Sequence, residues 1–129
     1  MEKSIYKILI VDDEDMMREI LTTRLSREPV FKISTAVNGK EGLYSALSDT
    51  PDLIILDVQM PVMDGITMMK ELRKDPRGQA IPIIFLTNYD TNEDTLGHVS
   101  EGKPAYYLIK ANINLDEVVK KIKESLKIN

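Results

Sequence analysis

Three short stretches, Ile8-Leu9-Ile10-Val11, Leu53-Ile54-Ile55-Leu56 and Ile83-Ile84-Phe85-Leu86, are apolar without a break. A strand with one wet face alternates apolar and polar residues, whereas a strand covered on both faces need not. Unbroken runs of this length point to the interior of a parallel sheet with helices on both sides. The apolar segments at 7–11, 31–37, 53–56 and 81–86, with a weaker one at 105–109, predict five strands. Between them the period changes to that of a helix. Met17, Ile20, Leu21 and Leu25 repeat at three and four residues, as do Leu43, Ala46 and Leu47, and Ile66, Met69 and Leu72. Leu115, Val118, Val119, Ile122 and Leu126 form the clearest stripe. Asn38 with Glu41, and Asn114 with Glu117, have the spacing of capping boxes at helix starts. Residues 90–101 predict a further helix, weakened by Gly97 and stopped by Gly102 and Pro104. The order is β-α repeated five times. Connections that hold a helix imply parallel strands, and right-handed crossovers place the helices on both faces.

Composition narrows the class. A chain of 129 residues is the size of one domain, with enough buried surface for an ordinary core. It has no cysteine, which excludes disulfides, thiolate metal sites and cysteine nucleophiles. Seventeen basic residues against twenty-one acidic ones give a net charge of −4, unlike a nucleic-acid-binding surface. No apolar run approaches the ~18 residues of a membrane span. The first apolar run stops at Asp12-Asp13-Glu14-Asp15, unlike a signal peptide. A cytoplasmic location is expected.

In a sheet of this kind ligands bind beyond the carboxyl ends of the strands. Asp12 and Asp13 follow the first run, Asp57 and Thr87 end the third and fourth, and Lys110 ends the fifth. Each has an ordinary explanation: Asp12 and Asp13 as helix caps, Asp57 as a solvated acid at a loop entry. Together they say more. If the first and third strands are neighbours, three carboxylates converge and repel unless a cation neutralises them. A hard divalent ion such as Mg²⁺ takes carboxylates, waters and a phosphate oxygen. Thr87 could offer a hydroxyl, and Lys110 a positive charge, to the same anion. Such a set suits phosphoryl transfer, with Asp57 as nucleophile forming an aspartyl phosphate.

These residues resemble the receiver domain of two-component response regulators. The resemblance runs through Ile8 to Glu14 and then Pro51-Asp52-Leu53-Ile54-Ile55-Leu56-Asp57-Val58-Gln59-Met60-Pro61-Val62-Met63-Asp64-Gly65. It continues in Ile81-Pro82-Ile83-Ile84-Phe85-Leu86-Thr87 and Tyr107-Leu108-Ile109-Lys110. Asp57 followed by Met-Pro-x-Met-Asp-Gly is its most specific part. The resemblance implies a flavodoxin-like (βα)5 fold, strand order 2-1-3-4-5, in one receiver domain over residues 1–129. It implies phosphorylation of Asp57 by a histidine kinase or histidine phosphotransfer protein. Asp12, Asp13, Asp57 and the backbone carbonyl of Gln59 would hold Mg²⁺, and Thr87 and Lys110 would bind the phosphoryl oxygens. Thr87 and Tyr107 would form the switch, the Tyr107 ring turning inward and reshaping the face of the fourth helix, fifth strand and fifth helix. The plain alternative for Tyr107 is an aromatic packed at a strand edge. Gln59 and Tyr89 stand where the family tunes water attack on the acyl phosphate.

Three departures from the family pattern stand out. Ala111 replaces the proline usually found after the lysine, so a trans bond and a differently shaped loop are expected. Asn88 replaces a small residue after the threonine, and Gly102-Lys103-Pro104-Ala105 replaces the usual Gly-Ala-Asp stretch. Met16, Met17, Met68 and Met69 read as adaptable core or docking contacts, and His98 as exposed. Lys120 and Lys121 suit the C-terminal half of a helix, not a DNA-binding patch. The expected role is a signalling phosphoacceptor that catalyses only its own phosphorylation and dephosphorylation. A constitutive pseudo-receiver and a Mg²⁺-dependent aspartyl-phosphate hydrolase are the alternatives. Downstream, the resemblance leaves a protein target or an output domain outside this sequence, with no direct contact to nucleic acid or membrane. A monomer is expected, with dimerisation through the switch face open to the phosphorylated form.

Overall fold

The structure is a computed structural model that describes residues 3–88 and 106–129. Its strands are β1 (Tyr6–Val11), β2 (Phe31–Ala36), β3 (Leu53–Asp57), β4 (Ile83–Thr87) and β5 (Tyr106–Ile109). Helices α1 (Asp15–Leu25), α2 (Gly39–Asp49) and α3 (Gly65–Lys74) connect the first four, and a C-terminal helix (Leu115–Leu126) closes the chain. All strand pairs are parallel, and the order is β2-β1-β3-β4-β5, as the resemblance implies. The predicted helix at 90–101, with Tyr89, His98 and the 102–105 stretch, lies outside the described residues.

Side-chain alternation along the strands sorts the core into two layers. Leu9, Val11, Ile54, Leu56, Ile83 and Phe85 pack with Ala46 of α2 and with Met68, Met69 and Leu72 of α3. Ile8, Ile10, Leu53, Ile55, Ile84 and Leu86 pack with Leu21 and Leu25 of α1 and with Val118, Val119 and Ile122 of the C-terminal helix. Both faces of β1, β3 and β4 are therefore dry, which is why their sequences do not alternate. At roughly 1.5–3 kcal/mol per fully buried aliphatic side chain, these layers are the main source of stability. Met68 and Met69 are core, Met17 packs against the second layer, and Met16 is exposed.

Local chemistry sets the boundaries. The Asn38 side chain accepts from the Glu41 amide at 2.9 Å, and Asn114 accepts from Glu117 at 3.1 Å, as their spacing predicts. Asp64 caps α3 in the same way, from Thr67 at 2.7 Å. α2 ends at Thr50 in the left-handed region, with φ 45°, and Pro51 follows. β1, β3 and β4 each extend one residue beyond the expected runs, at Tyr6, Asp57 and Thr87, and two boundaries retreat. Ile81 and Pro82 precede β4 instead of opening it, because proline has no N–H to give the ladder. Val37 falls just beyond β2 and is exposed.

Candidate functional site

The parallel register brings the carboxyl ends of the strands to one rim. Val11 pairs with Leu56, so the residues after them, Asp12 and Asp57, leave adjacent strands at the same level. Asp57 pairs with Leu86, which puts Thr87 one step further on the next strand. Thr87 pairs with Ile109, and Lys110 follows at once, opening a single 3-10 turn over Lys110–Asn112. Residues separated by up to 98 positions thus meet on one edge. Asp12, Asp57, Thr87 and Lys110 are the buried polar residues among those described, and Asp13 is exposed beside them.

Asp12, Asp13 and Asp57 each offer a carboxylate oxygen within 4.8 Å of the other two. One oxygen of Asp12 accepts the Glu14 amide at 2.9 Å, closing a local turn before α1 and not the cap expected, since Glu14 is the N-cap and no side chain caps the helix. Its other oxygen, Oδ2, lies 2.7 Å from Lys110 Nζ, an ion pair by distance without hydrogen-bond alignment. Lys110 Nζ is also 3.2 Å from Asp57 Oδ2 and 2.7 Å from Glu14 Oε1. Asp57 Oδ1 is buried and accepts no hydrogen bond among the described residues.

The electrostatics follow from burial among like charges. Desolvation, reinforced by the Asp12 charge and only partly offset by Lys110, raises the Asp57 carboxyl to about 7. Burial pushes the Lys110 ammonium down, but the contacts with Asp12 and Glu14 and the charge of Asp57 outweigh it and leave it above the ordinary lysine value. One cation is thus shared among acids that outnumber it. A buried, unpartnered carboxylate oxygen is costly and calls for a positive ligand.

Three oxygen donors of carboxylate type fit a hard cation. The widest oxygen pair around octahedral Mg²⁺ is about 4.2 Å, so the three acids need only a small rotation, or a bridging water, to share one ion. A softer metal would want nitrogen or sulfur donors.

The loops that hold the acids are braced by contacts the sequence reading did not single out. Arg18 Nη1 donates to the Asp12 main-chain carbonyl at 2.6 Å, while its other arm pairs with Asp15. Gly65 donates to the Val58 carbonyl at 2.9 Å, folding the chain after β3 back over its own end. Glu14 appeared in the sequence only as part of a motif, yet it holds Lys110. Nothing in the sequence marks a pair 96 residues apart. Gln59 is exposed two residues after Asp57, and Asn88 is exposed after Thr87. Tyr107 is half-buried and packs against the α2–α3 layer, a strand-edge aromatic in this conformation. No described peptide bond is cis, so the expected trans bond at Lys110–Ala111 is present.

The family model for the response regulator receiver domain matches residues 8–123. The chain belongs to that family. The receiver domain described here is 38% identical over 96 residues to response regulator PleD of Caulobacter vibrioides, covering 74% of this chain and 21% of that protein. It is 41% identical over 100 residues to "Probable transcriptional regulator ycf27" of Guillardia theta, covering 78% of this chain and 38% of that protein. The chain thus spans between a fifth and two fifths of these relatives. Among solved structures, chemotaxis protein CheY4 of Vibrio cholerae matches at a TM-score of 0.84 and 28% identity, over 94% of this chain and 98% of that one. The receiver domain of Francisella response regulator 1452 matches at 0.83 and 27%, over 95% and 97%. The receiver fold carries the acidic pocket at its strand ends, and the pocket can take a metal. Among the described residues no helix is long and apolar enough to cross a membrane.

Proposed function

We propose that this receiver domain accepts a phosphoryl group on Asp57 from a phosphohistidine and passes the change to a protein partner. The observation that carries this reading is Asp57 itself: a buried carboxylate at a strand end, with one oxygen unpartnered among the described residues and an ammonium 3.2 Å from the other. A buried acid with one oxygen left over is a poor structural element and a well-placed nucleophile. In the transfer, an Asp57 oxygen forms the new P–O bond and the donor's P–N bond breaks, its electron pair staying with the imidazole. Mg²⁺, held by Asp12, Asp13, Asp57 and the Gln59 carbonyl, would supply charge neutralisation on the transferring group.

The chain's own residues do the rest. Asp57 rides on a strand paired on both sides, which fixes its direction of attack. Lys110 turns from the acids to a phosphoryl oxygen, and Thr87, at the neighbouring strand end, donates its hydroxyl to another. A phosphoryl group adds about −1.5 to −2 charge, more than the bare site holds stably. Movement of Thr87 and Lys110 toward that charge vacates space beside β5, into which the Tyr107 ring turns. Tyr107 already borders a cleft of about 260 Å³ with Ile113, Asn114 and Glu117. The partners on this reading are a histidine kinase or phosphotransfer protein upstream and a protein or output domain downstream, in the cytoplasm. The residues form one receiver domain that catalyses only its own phosphorylation and dephosphorylation.

The test is intact mass after acetyl phosphate and Mg²⁺. A gain of one phosphoryl group in the wild type, lost in Asp57→Asn and on chelation, supports the reading. A pseudo-receiver would gain nothing, and a hydrolase would turn over many equivalents of acetyl phosphate.

A further inference from the structure

Lys110 is held from three sides, and one of its partners stands outside the acidic cup. Its ammonium lies 2.7 Å from Asp12, 3.2 Å from Asp57 and 2.7 Å from Glu14. Of these contacts the one to Glu14 is an aligned hydrogen bond, whereas Asp12 Oδ2 holds the ammonium by charge and distance alone. Asp12 and Asp57 belong to the cluster that can share a cation, and Glu14 does not. The Glu14 side chain is 48% exposed and reaches Lys110 from the start of α1. Its backbone is fixed at both ends, the amide bound to Asp12 Oδ1 at 2.9 Å and the carbonyl to the Arg18 amide at 3.1 Å.

We propose that Glu14 is a positioning residue for Lys110, a fixed anchor on which the ammonium pivots from Asp12 and Asp57 to an incoming phosphoryl group. The proposal rests on reading Asp57 as the phosphoryl acceptor. Were Asp12, Asp13 and Asp57 to share a cation, Lys110 would lose the charges of Asp12 and Asp57 as partners and keep its hydrogen bond to Glu14. A lysine head on a flexible four-carbon stem loses its place easily once its partners are taken. Glu14 keeps one N–H bound throughout, so the other two sweep toward the phosphoryl oxygens while the head stays in the site. The turn after β5 engages only the Lys110 main chain, whose carbonyl accepts from the Ile113 amide at 3.1 Å.

Charge alone predicts the opposite sign. Glu14 adds a negative charge near an anionic donor, so if it acted only by repulsion, removing it would speed the transfer. Glu14→Gln keeps an acceptor oxygen at the same reach without the charge, and Glu14→Ala removes both. The two substitutions, each also made with Lys110→Ala, are assayed in the full chain by intact-mass time courses with acetyl phosphate. Donor and Mg²⁺ concentrations are varied separately.

Positioning predicts that Glu14→Ala lowers the rate constant at saturating Mg²⁺ about tenfold, with half-saturating Mg²⁺ moved less than threefold. Glu14→Gln retains most of the rate, and Glu14→Ala has no further effect once Lys110 is alanine. The Lys110 ammonium signal in ¹⁵N NMR of the metal-free protein should be sharp in wild type and broadened in Glu14→Ala, while the thermal midpoint barely moves. Rates that are unchanged or faster in Glu14→Ala, or a tenfold loss that persists without Lys110, would overturn the proposal and leave Asp57 phosphorylation standing. A wild type that takes up no phosphoryl group overturns both.

Discussion

Asp57 is an acid kept where water barely reaches it, and its titration follows. An ordinary aspartate ionises near 3.8, whereas burial and the Asp12 charge raise this one to about 7. A carboxyl raised on folding supports the fold fully below the unfolded value, and that support is lost as pH rises through the folded value. In the metal-free protein, the contribution of Asp57 therefore declines between about pH 4 and pH 7. Asp57→Asn removes the charge and most of the penalty. Thermal melts in chelator should show the variant more stable than wild type by about 1–3 kcal/mol at pH 8, with the gap closing toward pH 5. A gap that stays constant with pH would mean that the charge on Asp57 is not what the site struggles to hold.

At the scale of elements, the connection from β3 to α3 is the most constrained. Val62 sits in the left-handed region at φ 70°, between a Pro61 carbonyl and a Met63 amide that bond at 2.7 Å. That is the geometry of a strained γ-turn, at a residue that is branched at Cβ. Three residues later, a Cβ on Gly65 would stand 2.1 Å from the Asp57 carbonyl oxygen, which is backbone and cannot step aside. Gly65→Ala should therefore cost about 2–4 kcal/mol in a denaturant melt and slow phosphorylation of Asp57 as well, by displacing the end of β3. Loss of stability with an unchanged rate would show that the strain is absorbed in α3.

These elements also show what the sequence can carry. The runs in β1, β3 and β4 are legible because both faces of those strands are buried, and the caps at Asn38 and Asn114 because a cap is a contact over three residues. The ends of the runs led directly to Asp12, Asp57, Thr87 and Lys110. Strand order came only from the resemblance, since a β-α repeat does not say which strands are neighbours. The grip of Glu14 on Lys110 and the brace of Arg18 on Asp12 were illegible, because both depend on how the ends of elements approach once packed. Hydropathy alone extends β4 back through Pro82, whose missing N–H keeps it out of the strand.

For the whole molecule, the sheet is not uniform in firmness. β3 lies in the middle, bonded to β1 on one side and β4 on the other, and all five of its residues are buried. β5 lies at the edge, with every residue only half-buried. Hydrogen exchange should accordingly be slowest in β3, with amides of β5 exchanging on the order of a hundredfold faster. Equal protection in the two strands would contradict this picture. Asp57 is carried by β3, while Lys110 hangs from the tip of β5. The acid is a post set in the floor and the ammonium a latch on a hinge: whatever event parts them, the margin gives and the centre stays put.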